Sequence, residues 1–206
     1  MTRPADLGVV KRRALGSLTR IQKRYDGCRA SNSHYLFVRW VGSMCVVDAH
    51  AVWERYAEER LVVALAHHPS AFISEHGIRG LKRIPVGLAA VLARGGRKYF
   101  DFRSCSDLLS MGDGLVGRAQ NPFGRLSKVQ RDYLDTLTAI RNAVVHRSDA
   151  AVAAYKRLLT GVYGLKARPE PDEFLSAIDH RTTSPLRREP RLSGLIAVLN
   201  AAIIAT

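Results

Sequence analysis

The feature that most constrains the fold is a stretch from His34 to Ala66 that contains no proline and a single glycine, Gly42. Its large apolar side chains cover more than one side of a helix and do not alternate with polar ones as on a half-buried strand. This pattern predicts a central, largely buried helix. Its apolar residues are Trp40, Val41, Met44, Cys45, Val47, Val52, Trp53, Tyr56, Leu61 and Leu65.

Alternating apolar and polar runs are nearly absent from the rest of the chain, which predicts an all-α fold with four or five main helices and short extra helices. We expect one domain over 1–206. It comprises an N-terminal basic helix in 1–30, a bundle core over 34–163, and an extension over 164–206 that ends in an apolar helix from Leu192 to Thr206. That last apolar run is well short of the roughly 20 residues that span a bilayer, so we expect a docking helix, buried or in a dimer contact, and no membrane.

Turn and cap residues set the boundaries of the shorter elements. The N-terminal helix is expected to end near Gly27, and Pro69 to end the central helix. Gly112, Gly114 and Gly117 predict turns, and the run they form lacks the Gly-Lys-Ser/Thr ending of a phosphate-binding loop. The predicted short helices begin at Ser70 and cover 85–93, 106–111 and 174–178.

Two cap residues predict the helices that follow. Ser127 is a predicted N-cap for a helix that continues to His146, and Asp149 is a predicted N-cap for a helix from Ala150 to about Tyr163.

Composition narrows the partners and the compartment. Lys and Arg exceed Asp and Glu by 32 to 18, a formal net charge of +14, which makes nucleic acid the first partner to consider. Three cysteines cannot pair completely, and no signal-peptide core is present near the N-terminus, so we expect a reducing, cytoplasmic location. The basic residues taken as candidates for RNA binding are Arg97, Lys98, Arg125, Lys128 and Arg147.

The most informative segment is AIRNAVVHRS, residues 139–148. On a helix, Tyr133, Leu137, Ile140 and Val144 fall within a narrow arc that must be the core face. His146 falls nearly opposite that arc, Asn142 lies four residues before it on the same outer side, and the long side chain of Arg141 reaches round from the flank. The three polar residues are therefore expected either to be ordinary solvent-exposed side chains or to form a site that is completed by a second surface.

This segment resembles the R-x4-H motif, with a polar residue directly after the arginine, of the HEPN superfamily of helical ribonucleases and toxins. Trp53-Glu54 in the long helix is similar to the aromatic-Glu pair of the RiboL-PSP-HEPN branch, and the resemblance covers roughly residues 35–163. Ser148 stands where that branch has a tyrosine. The resemblance implies a homodimer in which two copies of the motif helix meet and bring both Arg141 and both His146 residues into one cleft. It also leaves open a cognate antitoxin.

The implied activity is metal-independent cleavage of RNA that leaves a 2′,3′-cyclic phosphate. His146 would take the proton of the 2′-hydroxyl and Arg141 would offset the charge that builds on the phosphate, with Asn142 in support. No cofactor is expected. Glu54 is expected to pair with an arginine that fixes the active helix or the site, or else to form an exposed edge with Glu58. His50 and Glu54 have metal-compatible spacing without a third ligand in sequence, so no metal site is predicted.

Two other classes of function stay open on the sequence. A non-catalytic HEPN-type helical module would bind nucleic acid or a partner protein through the same surface without cutting RNA. A purely structural helical interaction protein would show no salt-dependent affinity for RNA.

Overall fold

The computed structural model describes residues 6–31, 33–79, 81–167, 169–181 and 186–206, and the fold is all-α. Within those ranges the only extended pairing is an isolated bridge between Ile178 and Pro190. The helices are α1 (Leu7–Ala30), α2 (Tyr35–His67), α3 (Ser70–Glu75), α4 (Val86–Ala93), α5 (Cys105–Val116), α6 (Lys128–His146), α7 (Asp149–Tyr163), α8 (Pro171–Ser176) and α9 (Arg191–Ala205), with a 3-10 helix at Pro122–Arg125.

Contacts between Cα atoms divide the described residues into two compact units. The first unit contains 6–14, 53–126 and 203–206, and the second contains 15–52 and 127–202. α1, α2 and α9 each contribute residues to both. The core of the first unit includes Trp53, which is fully buried, stacks on Tyr56 at 5.9 Å between ring centroids and meets the edge of Phe123 at the same distance. These three rings fix the second half of α2 in that core.

The prediction that α2 is largely buried is confirmed for most of its length and wrong at its N-terminal end. Val41 and Cys45 are buried, as is the helix around Trp53. Trp40, in contrast, is 57% exposed and Met44 is 38% exposed. This helix carries apolar residues on every side, and its neighbours in the described chain cover only part of that surface. Sequence periodicity cannot reveal which of these residues stay exposed.

α5 corrects the prediction of turns at Gly112 and Gly114. The helix begins after Ser104, whose hydroxyl accepts a hydrogen bond from the Asp107 backbone N–H at 3.2 Å, and it continues through both glycines to Val116. Only Gly117 is a turn residue; it ends the helix with a φ of 76°. The glycine-rich sequence looked like a loop, but the helix uses Gly112 for close contact with a neighbouring side chain.

That neighbour is Asn121. Its Nδ2 donates hydrogen bonds to the Leu109 carbonyl oxygen and to Asp113 Oδ1, both at 2.8 Å, and its Oδ1 accepts one from the Phe123 backbone N–H. A Cβ at position 112 would collide with this amide, with the Asn121 Cγ only 2.6 Å away. Because Gly112 has no side chain, Asn121, the N-cap of the following 3-10 helix, can pack directly against α5 at this position.

The two glycines of α5 predict opposite effects of the same substitution. Gly112→Ala is expected to lower the free energy of unfolding by about 1–3 kcal/mol, because the added methyl group displaces Asn121. Gly114→Ala is the matched control: it is exposed, has nothing within 4 Å of its would-be Cβ, and should raise stability by about 0.5–1 kcal/mol through helix propensity. Urea denaturation followed by circular dichroism measures both. Equal effects would contradict the close packing at Asn121.

The apolar terminal helix is confirmed as a buried docking helix. Leu192, Leu195 and Ile203 are among its buried side chains, and only Ile204, at 63%, is strongly exposed among the large ones. Of the two placements expected for this helix, burial within the chain is the one observed for these side chains. No helix in the described part of the chain is long and apolar enough to cross a membrane.

The three cysteines form no disulfide. Cys45 and Cys105 are buried, and Cys28 is half-buried. Cys45 Sγ donates to the carbonyl oxygen of Ile21 at 3.8 Å, which ties α2 to α1 within the second unit. Burial raises the pKa of the Cys45 thiol to about 11.

Candidate functional site

The candidate site is built on α6, whose start is fixed by local sequence. The Ser127 hydroxyl accepts a hydrogen bond from the Gln130 backbone N–H at 3.2 Å, and Gln130 Oε1 accepts one from the Ser127 backbone N–H at 2.9 Å. This reciprocal pair is a capping box and confirms the predicted N-cap. The helix then continues to His146, where it was predicted to end.

One face of α6 is in the core and the other carries the motif. Tyr133, Leu137 and Ile140 are buried, and Val144 is half-buried. His146 is exposed, as expected for a side chain nearly opposite that arc. The apolar stripe thus fixes the rotation of α6 in the second unit and turns the end of the helix toward solvent.

Hydrogen bonds bring the three motif residues together. Arg141 Nη1 lies 2.9 Å from Asn142 Oδ1 and 2.9 Å from His146 Nε2. A guanidinium can only donate, so Nε2 is the acceptor and the imidazole in this arrangement is neutral with its proton on Nδ1. Asn142 Oδ1 accepts a hydrogen bond from the same Nη1 atom. The predicted cluster of one cation, one amide and one imidazole is therefore present on a single chain.

No carboxylate of the described residues neutralises the charge of Arg141. Within the described residues its guanidinium forms no ion pair, and its polar side-chain partners are Asn142 and His146. Arg141 and Asn142 are half-buried and His146 is exposed, so the cluster can be reached from solvent. A half-buried guanidinium without an acid beside an exposed imidazole is suited to receive an anion such as a phosphate.

α6 ends on Arg147, one of the RNA-binding candidates. Its φ of 49° lies in the left-handed region, which is costly for a residue with a Cβ. Ser148 then caps α7, because its hydroxyl accepts a hydrogen bond from the Ala151 backbone N–H at 3.3 Å. The prediction that Asp149 is the N-cap is wrong: Asp149 occupies the first turn, where its charge favours the helix dipole, and the preceding hydroxyl makes the cap.

His50 is a core histidine. It is 3% exposed, and its Nε2 lies 3.2 Å from Thr138 Oγ1 in the second unit. Thr138 Oγ1 donates its own proton to the Leu134 carbonyl oxygen at 3.1 Å, so His50 Nε2 is the donor in this pair. His50, one half of the pair with metal-compatible spacing, is therefore explained by its position in the core. Among the described residues no group of three or more His, Cys, Asp or Glu could hold a metal ion.

Glu54 is half-buried on α2 and belongs to the first unit, whereas Arg141 and His146 belong to the second. Its predicted pairing with an arginine that fixes the site stays a prediction. The ion pair of this region that the sequence did not reveal is between Glu58 Oε1 and Arg94 Nε, 2.6 Å apart. Glu58 is therefore not part of a plain exposed edge.

The other basic candidates lie apart from the motif or in the other unit. Lys128 is at the opposite end of α6, about 27 Å along the axis from His146, and pairs with Asp132 at 2.7 Å. Arg97, Lys98 and Arg125 are exposed in the first unit. Of the five, Arg147 alone adjoins His146 in sequence, and the RNA-binding role of all five stays a prediction.

An exposed apolar surface at the start of α2 was not predicted from the sequence. We call it the α2 aromatic face; its residues are Tyr35, Leu36, Phe37, Trp40 and Met44, which are between 38% and 62% exposed. The available signal is three aromatic residues within six positions, Tyr35, Phe37 and Trp40. The predicted buried helix includes all three.

Compared with protein families, with curated proteins and with solved structures, this chain has no significant match. The assignment of a function to the α6 cluster therefore depends on its chemistry.

Proposed function

We propose that this chain is a metal-independent endoribonuclease of the HEPN type, a toxin-like or defence effector that acts in the cytoplasm. Its reaction is attack of the RNA 2′-hydroxyl on the adjacent phosphorus, which leaves a 2′,3′-cyclic phosphate. The observation that carries the proposal is the Arg141–Asn142–His146 cluster. An arginine that has no acidic partner in the described part of the chain lies 2.9 Å from the Nε2 of an exposed histidine.

The reaction assigns a separate task to each residue. His146 takes the proton from the 2′-hydroxyl at Nε2 while the new 2′-O–P bond forms and the P–O5′ bond breaks. Arg141 donates to a non-bridging oxygen of the phosphate, where negative charge builds in the transition state. Asn142 is a positioning residue that orients the guanidinium through its Oδ1.

Substrate binding must also free the base. In the structure, Arg141 donates to His146 Nε2, so the lone pair that would accept the proton is engaged. A phosphate oxygen offers the guanidinium a charged acceptor, which makes a stronger hydrogen bond than the neutral imidazole does. The arriving phosphate therefore draws Arg141 away from Nε2 and leaves the imidazole free to act as a base.

A second copy of the chain would supply the remaining proton. The departing 5′-oxygen needs an acid while His146 acts as the base, and one imidazole cannot do both in a single in-line displacement. The exposed end of α6 allows another copy to bring its own His146 to the same phosphate. We therefore propose a homodimer. Light scattering in moderate salt should give a mass above the 22.8 kDa of one chain.

The alternative is a helical module that binds RNA or a partner protein without cutting it, and the engaged Nε2 lone pair is the observation that favours it. Purified protein incubated with RNA in EDTA separates the two. We expect cleavage products that end in a 2′,3′-cyclic phosphate. RNA that stays intact at high protein concentration while it remains bound would replace the nuclease with the binding module.

A further inference from the structure

The α2 aromatic face carries rings that the described chain covers only in part. Tyr35, Phe37 and Trp40 are 62%, 51% and 57% exposed. Phe37 and Trp40 stack with their ring centroids 5.9 Å apart, so one pair of large rings stands open to solvent. A group of large exposed apolar side chains is one of the features that mark binding sites.

A groove joins this face to the end of the motif helix. In the second unit, a groove of about 490 Å³ has Trp40 and Met44 on its α2 side and Val144 and Arg147 from the end of α6. None of Arg141, Asn142 and His146 lines the groove, but Arg147, which directly follows His146, does. A polymer bound at His146 would pass round the end of α6 at Arg147 to reach the Trp40 ring.

The charges in the groove favour an anionic occupant. Arg39 is neutralised by a bidentate contact with Asp172, at 3.0 and 3.1 Å. Arg147 and Lys156 make no ion pair within the described part of the chain, and they face a single further acid of the lining, Glu170.

We propose that Trp40 and this groove form a subsite for one unpaired base of single-stranded RNA, with Arg147 on the phosphate between that base and the scissile position. The inference depends on the proposed function, since it names the class of RNA that the α6 cluster would cut. Base–aromatic stacking combined with cations along the backbone is how proteins hold single strands. A base in a duplex is stacked on its neighbours and cannot reach the Trp40 ring.

The two tryptophans make the subsite directly observable. Trp40 is exposed and Trp53 is fully buried, so a base that stacks on the protein should quench the fluorescence of Trp40 alone. Titration of His146→Ala protein with a short single-stranded RNA measures binding without cleavage. We expect quenching with the single strand and none with the same sequence as a duplex. Trp40→Ala, made in the same background, should abolish the quenching and weaken binding by about 5- to 150-fold, measured by anisotropy.

Three further variants sharpen the test. Tyr99→Ala is the matched control, because Tyr99 is a 69% exposed ring with Lys98 beside it in the first unit, and it should leave binding and quenching unchanged. Trp40→Phe should retain part of the affinity, since a smaller ring still stacks. Arg147→Gly keeps the left-handed backbone without strain and removes only the cation, so it should weaken binding and lower its salt dependence.

Two outcomes would overturn the subsite. The first is that Trp40→Ala binds RNA with unchanged affinity. Retained fluorescence of the buried Trp53 would prove that this variant is folded. The second is a loss of self-association in Trp40→Ala without a loss of RNA affinity, which would make the face a protein contact. Failure of the proposed function looks different: wild-type protein would leave RNA uncut in EDTA while the Trp40-dependent quenching persists.

Discussion

His146→Ala is expected to slow RNA cleavage by about 10²–10⁴-fold, the usual loss when a general acid–base group is removed. RNA binding should persist, because the guanidinium of Arg141 and the other cations remain. The truncation also frees Arg141 Nη1 from its 2.9 Å hydrogen bond to Nε2, so the affinity for RNA should not fall. Cleavage is measured on a labelled RNA in EDTA and binding by anisotropy at the same salt concentration.

His68→Ala is the control for this prediction, since it removes another exposed histidine, in the first unit and outside the proposed machinery. It should cleave like the wild type. Wild-type cleavage by His146→Ala would mean that this motif is not the catalytic centre. His50 would be a poor replacement, because it is 3% exposed and hydrogen-bonded to Thr138.

Arg141→Ala should lower cleavage and also weaken RNA binding, because the guanidinium contacts the phosphate in the ground state and in the transition state. The slope of log affinity against log salt concentration should become shallower by about the contribution of one phosphate contact. Arg141→Lys should restore the charge and part of the binding without restoring cleavage, since an ammonium cannot contact Asn142 and the phosphate with a planar fork. Restored cleavage in Arg141→Lys would show that a point charge suffices.

Mixing Arg141→Ala with His146→Ala tests how a dimer divides its site. Arg141 and His146 are hydrogen-bonded within one chain, which predicts that the arginine and the base of an active centre come from the same copy, while the acid is the His146 of the other copy. Mixed dimers should then regain no activity. Recovery would mean that arginine and histidine act from different copies and that the contact within one chain is broken in the working enzyme.

The features that could be predicted from the sequence are those that depend on residues close together in the chain. The capping box of Ser127 and Gln130 and the apolar arc from Tyr133 to Ile140 are local, and they placed His146 on the exposed side of α6. The cap of α7 was missed by one residue because Ser148 and Asp149 are both good caps. Local signals of equal strength cannot be ranked without the backbone.

Features that depend on other elements were not predictable. Gly112 looks like a turn until Asn121, from the following loop, is seen against it. Trp40 and Trp53 are equivalent in an apolar helix, yet one is exposed and the other buried, because burial depends on which neighbours reach each part of α2. The hydrogen bond between Arg141 and His146 follows from side-chain rotamers that spacing alone does not fix.

The buried thiols make it possible to measure how often parts of this molecule open. A thiol reagent attacks the thiolate, and Cys45 is both buried and held by the Ile21 carbonyl oxygen, so it reacts only when α1 and α2 separate locally. Cys105 is the corresponding reporter in the first unit, and half-buried Cys28 supplies a fast reference. Their labelling rates in native buffer would give an opening free energy for each unit, without denaturant and without knowledge of the substrate.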